Sequence, residues 1–102
     1  MAQVPIACSL TADDAGARVE EWRHFLNHRV VEIARGEGSA RLRLEDGEDT
    51  LLVAADLARR EKACCPFFEF RLVLLPEAAW LEVEAPDDAA AMLDGLVDLH
   101  RG

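Results

Sequence analysis

Apolar positions change their spacing several times along the chain, and each change marks an expected element. Gln3–Cys8 alternates apolar and polar positions and is interrupted by Pro5, as suits an edge strand or a strand start. Ser9 or Thr11 can cap a helix running to about His28, with Asp13 and Asp14 favourable at its positive end. Val30–Arg35 and Ala40–Glu45 alternate at period two around Gly36-Glu37-Gly38, which predicts a β-hairpin. Asp49 or Thr50 opens a second helix, expected to end near Cys64 because the residue before Pro66 is pushed out of helical geometry. Phe68–Leu74 and Trp80–Glu84 predict a second hairpin turning at Pro76-Glu77-Ala78. After Pro86, Asp87 is expected to cap a last helix with an apolar stripe of Ala89, Leu93, Leu96, Val97 and His100. The order β-α-β-β-α-β-β-α predicts an α+β fold, an antiparallel sheet of four to five strands with three helices packed on one face. The first six elements match a ferredoxin-like order, and other α+β arrangements stay open.

Projection of the second helix at 100° per residue separates two arcs. Asp56, Arg59 and Arg60 fall on the solvent arc, while Ala54, Leu57, Ala58, Cys64 and Cys65 share the other. Glu61 falls inside the apolar arc, one turn before both cysteines. A buried carboxylate asks for a cation, a hydrogen-bond donor or a ligand. On the first helix Val19, Trp22, Phe25 and Leu26 form the buried face, and Arg18 or Arg29 projects far enough to meet Glu61. That meeting reads either as a structural ion pair or as a shell that orients thiols.

Composition limits the function. The 102 residues are read as a single domain, 1–102, and half of them are hydrophobic. A net charge of −9 argues against a nucleic-acid surface and against anionic membranes. There is no apolar run of membrane-spanning length, and the N-terminal stretch has no basic start followed by an apolar segment, so no signal peptide is expected and the protein is read as cytoplasmic. P-loop, dinucleotide-binding, HExxH and nucleophile-elbow motifs are absent.

The three cysteines change the picture most. Cys64 and Cys65 are adjacent and could close only a strained eight-membered ring, so reduced thiols are expected. Thiolates select soft ions, and two of them at a helix end, stiffened by Pro66, give a short-span chelate. Cys8, at the end of the first expected strand, could add a third sulfur, making Cys8, Cys64 and Cys65 the candidate metal ligands. The helix C-terminus and Glu61 both disfavour a free thiolate, whereas a bound cation deprotonates the thiol directly. Metal capture is therefore favoured over thiol–disulfide exchange. His24 and His28, four apart on the polar arc of the first helix, lack an evident third ligand and are read as solvent-exposed.

The run Glu61-Lys62-Ala63-Cys64-Cys65-Pro66-Phe67-Phe68-Glu69-Phe70 resembles a box of small bacterial proteins of poorly defined function. These share an E-x-x-C-C-P-F-(L/F)-x-F segment followed by a β-hairpin and a closing helix. They occur alone, or fused to or near transcription factors of the mercury-regulator type. Cys8-Ser9-Leu10 and Arg18 also look like that group. The resemblance implies a heavy-metal or metalloid context and supports grouping Cys8 with Cys64 and Cys65. The chain has no DNA-binding helix-turn-helix of its own, so a regulator's role does not carry over.

The leading reading is a binding protein for a soft metal or metalloid of the Hg, As or Cu type, used in sequestration, sensing or transfer. A thiol enzyme is the second, with catalytic candidates Cys64 or Cys65 as nucleophile, Glu61 as proton donor or acceptor and Arg18 as electrophilic support. In the third, Phe67, Phe68 and Phe70 are core anchors of an interaction domain, and an exposed hairpin edge could support a homodimer.

Overall fold

The computed structural model describes residues 12–100. Helix α1 (Ala12–His28) leads into the hairpin β1 (Val30–Gly36) and β2 (Ser39–Leu44). Helix α2 (Thr50–Cys64) leads into the hairpin β3 (Glu69–Leu74) and β4 (Ala79–Glu84), and a 3-10 turn (Asp87–Ala89) leads into α3 (Ala90–Val97). The four strands form one antiparallel sheet in the order β1-β2-β4-β3. This is the α+β fold expected from the pattern, compatible with a ferredoxin-like arrangement. The expected strand Gln3–Cys8 and the caps at Ser9 or Thr11 lie outside the described residues. Among those residues no helix is long and apolar enough to cross a membrane.

The sheet explains the period-two pattern. Ala40, Leu42 and Leu44 of β2 and Leu81 and Val83 of β4 are buried with Trp22, Phe25 and Leu26 of α1, Ala54 and Leu57 of α2, and Leu93 and Leu96 of α3. Most of the intervening, less buried positions are charged, among them Arg41, Arg43, Glu82 and Glu84. Glu82 on central β4 stands opposite Arg41 on β2 and Arg71 on β3, and accepts from both, at 3.2 and 3.4 Å. Arg41 also lies 4.4 Å over the Trp80 ring, covering an aromatic that the sheet leaves half-buried.

Two helix starts depart from simple capping. Asp49 occupies the cap of α2 without a side-chain cap bond. Its carboxylate instead accepts from both Nη atoms of Arg29, at 2.8 and 3.0 Å, tying the end of α1 to the start of α2. At the last helix the expectation of an Asp87 cap is corrected. Pro86 takes the cap position with extended geometry (φ −66°, ψ 166°), and Asp87 already belongs to the 3-10 turn that precedes α3. Proline has no N–H to lose there, and its fixed φ lets the turn begin directly after it. Ala89, Leu93, Leu96 and Val97 are buried as expected, whereas His100 lies beyond the helix end and is half-buried.

Gly38 closes the first hairpin with φ 68°, and a Cβ there would sit 3.1 Å from the Ala85 carbonyl oxygen. Its own carbonyl accepts from Ala85 N–H at 2.9 Å, so the hairpin tip is also tied to the end of β4. Gly38→Ala should destabilise the fold by about 1–2 kcal/mol, the cost of a left-handed backbone with a side chain. Urea unfolding checks this, and an unchanged midpoint would contradict it.

Candidate thiol and carboxylate centre

Helix α2 stops where its sequence says it must. Cys64 is its last residue and Cys65 its cap, at φ −125° and ψ 81°, outside helical geometry because Pro66 follows. The Cys65 N–H still donates to the Glu61 carbonyl at 2.6 Å, and its carbonyl accepts from Phe68 N–H at 3.1 Å. Lys62 folds its ammonium over the same turn, donating to the carbonyls of Pro66 and Phe68. The backbone around both cysteines is therefore held from both sides. Phe68 is fully buried directly after it, in edge contact with half-buried Phe67 and Phe70, and Phe70 stacks on Trp22 at 6.4 Å between centroids.

Glu61 is the unusual member of this group. It has 0% exposure, as the helical projection placed it. Its Oε1 accepts from Arg18 Nη1 at 3.1 Å and from Trp22 Nε1 at 3.0 Å, both on α1. Of the two arginines considered from the sequence, Arg18 makes this contact; Arg29 is engaged by Asp49 and Glu45. Trp22 was expected only as a core residue, yet it also supplies a donor. A signal for it existed, because a buried indole N–H must find an acceptor. Arg18 is itself buried, and its Nε lies 3.7 Å from Glu21. Glu21 is clasped by Arg60 through two bonds of 2.9 and 2.8 Å, which hold its carboxyl below the usual range.

The other carboxylate oxygen of Glu61, Oε2, is buried and accepts no hydrogen bond from any of the described residues. Donor atoms of Glu61, Cys64 and Cys65 all fall within 4.8 Å of one another, and all three residues are buried. The sulfurs are 3.8 Å apart, far beyond the roughly 2.05 Å of a bond, so the strained vicinal ring is not formed. Cys64 retains its thiol. Cys65, expected as a reduced thiol, is disulfide-bonded, and its partner is not among the described residues. Cys8, the third candidate ligand, lies outside them. The centre can thus offer two sulfurs and one carboxylate oxygen to an ion when Cys65 is reduced.

The remaining candidates fall elsewhere. His24 and His28 are exposed on α1 with rings stacked 4.2 Å apart, and neither joins a group of potential ligands among the described residues. Comparison with family models, with curated proteins and with solved structures finds no match to this chain.

Burial pushes the Glu61 carboxyl above its ordinary value of 4.5, against the opposing pull of the Trp22 and Arg18 hydrogen bonds. A carboxyl whose pKa is raised on folding holds its proton more tightly in the native state. Its contribution to stability is complete below about 4.5 and is lost as pH rises through the higher native value. The wild type should accordingly lose stability relative to Glu61→Gln across that rise. Urea unfolding at stepped pH measures this, and parallel pH curves for the two proteins would contradict it.

Proposed function

We propose that the reduced protein binds a thiophilic metal or metalloid ion through Cys64, Cys65 and Glu61, in a sequestering, sensing or transfer role. The observation that carries this reading is the buried cluster in which a Glu61 carboxylate oxygen and the sulfurs of Cys64 and Cys65 lie within 4.8 Å of one another, while Glu61 Oε2 accepts no hydrogen bond from the described residues. An unsatisfied buried carboxylate oxygen is costly to a fold, and an ion would satisfy it while holding both thiolates. Thiolate donors give the preference for soft and borderline ions. Arg18 and Trp22, both donating to Glu61 Oε1, fit the role of supports that orient a ligating carboxylate. The likeness of the Glu61–Phe70 run to boxes found near mercury-type regulators points the same way, and Cys8 remains the candidate third sulfur.

The disulfide at Cys65 makes reduction a precondition for binding. Protein reduced under anaerobic conditions should take up one equivalent of Cd(II), with thiolate-to-metal absorption in the ultraviolet. Zn(II), Hg(II), As(III) and Cu(I) titrations then rank the ions. Uptake by the wild type no greater than that of a Cys64→Ser/Cys65→Ser double variant, for every ion tried, would end the proposal.

A further inference from the structure

The two edges of the sheet are built differently, and the difference concerns assembly rather than the thiol centre. The strand order leaves β1 and β3 each with a single neighbour among the described residues. An open edge is a template for pairing with another chain unless a bulge, a charge or a proline blunts it. The β1 edge is blunted: its register with β2 shifts between Val30 and Glu32, and Arg35 is drawn to Asp94 and Asp98. Strand β3 pairs with β4 without irregularity from Glu69 to Leu74. Its Phe70, Leu72 and Leu74 stand opposite Val83, Leu81 and Ala79, so their side chains lie on the face that carries the core. Leu72 and Leu74 are nonetheless exposed, Leu74 to 66%.

The main chain of the same three residues points outward. Leu75 and Ala78 exchange both backbone hydrogen bonds at the turn of this hairpin, at 2.8 and 3.4 Å. In an antiparallel ladder such pairs alternate with pairs that exchange none. Val73, Arg71 and Glu69 therefore bond to β4, while Phe70, Leu72 and Leu74 direct N–H and C=O to the open edge. Apolar side chains and outward backbone groups thus coincide on one set of residues, which is what a strand needs to receive another.

Charge at the two ends of this edge indicates which strand it receives. Near the start of β3, Ala55 and Ala58 of α2 form an apolar hollow with Phe70 and Leu72, and exposed Arg59 and Lys62 stand at its rim. Glu69, at the same rim, is held by Arg71. Near the end of β3, Leu51, Leu74 and Leu75 line a second hollow rimmed by exposed Asp46 and Glu77. A second copy related by a twofold axis runs antiparallel, so each basic end meets an acidic end. Residues 1–11 of the same chain carry no charged side chain and would answer neither end.

We propose that β3 is the seam of a homodimer, paired antiparallel with the same strand of a second copy about an axis at Leu72. Residues with outward backbone groups must face one another in such a pairing. Centring on Leu72 uses all three: Phe70 faces the partner's Leu74, Leu72 the partner's Leu72, and Leu74 the partner's Phe70. Each facing pair exchanges two N–H···O bonds, and the side chains form one apolar layer on the helix-bearing face. The two four-stranded sheets become one continuous sheet, with the two α2 helices antiparallel on the same side. An interface of one strand and one groove is modest, so dimerisation follows protein concentration.

Sedimentation equilibrium over a range of concentrations should show a monomer–dimer equilibrium for the wild type, with no covalent dimer on a non-reducing gel. Leu74→Lys should raise the dissociation constant at least about tenfold, since both copies lose an apolar contact at the seam. Glu77→Lys should raise it about threefold, and adding Arg59→Glu to Glu77→Lys should recover most of that loss. Amide exchange followed by NMR locates the seam: the N–H groups of Phe70, Leu72 and Leu74 should become protected as the dimer fills. A protein that stays monomeric overturns the proposal, and protection of those amides in the monomer would assign the edge to residues 1–11. A dimer that Leu74→Lys leaves unweakened places the seam elsewhere and overturns it as well. If Leu74→Lys does not fold, as judged by circular dichroism, the three wild-type amides and the charge exchange decide.

Discussion

A single carboxylate organises this fold. Glu61 sits in the middle of the apolar face of α2 with no exposure to solvent, where an unpartnered charge would cost several kcal/mol. Two donors from α1, Arg18 and Trp22, meet one of its oxygens, so the contact between the two helices is a hydrogen-bonded one as well as an apolar one. Trp22 serves both purposes. Its ring is enclosed by Phe25 and Phe70 while its N–H reaches the carboxylate. The helix pair is thereby fixed in register, and the position of the cysteines, one turn further along α2, follows from it.

The same arrangement leaves the second oxygen, Oε2, buried and without a donor among the described residues. A fold that needed only an ion pair between its helices could be served by a carboxylate near the rim, where water would satisfy the spare lone pairs. Here the carboxyl group is buried, with one of its oxygens within 4.8 Å of the sulfurs of Cys64 and Cys65. One side chain thus belongs both to the contact between the helices and to the cluster with the two cysteines. The charged chain from Arg18 through Glu21 to Arg60 and Asp56 connects that buried group to the surface without exposing it.

Much of the architecture was legible because its causes are local. The hairpin at Gly36-Glu37-Gly38 follows from period-two alternation and a glycine able to take a positive φ. The end of α2 follows from Pro66, and the burial of Glu61 from a helical projection. The start of the last helix was less accurately read, because whether Asp87 caps or joins the first turn depends on the path of the chain leaving Pro86. Asp49 and Thr50 open α2 as expected, but the Asp49 side chain is held by Arg29, twenty residues away, a competition invisible to local pattern.

The sequence by itself determined the order of elements, the apolar face carrying Glu61 and the adjacency of two thiols, since each depends on spacing along one helix or hairpin. Tertiary structure decided the rest. It chose Arg18 over Arg29 as partner, because the packing of α1 on α2 brings only the former to Glu61. It added the Trp22 N–H, placed the sulfurs 3.8 Å apart, and left Oε2 without a donor among the described residues. These are distances between side chains on separate elements, or rotamers set by what surrounds them, and no periodicity encodes them.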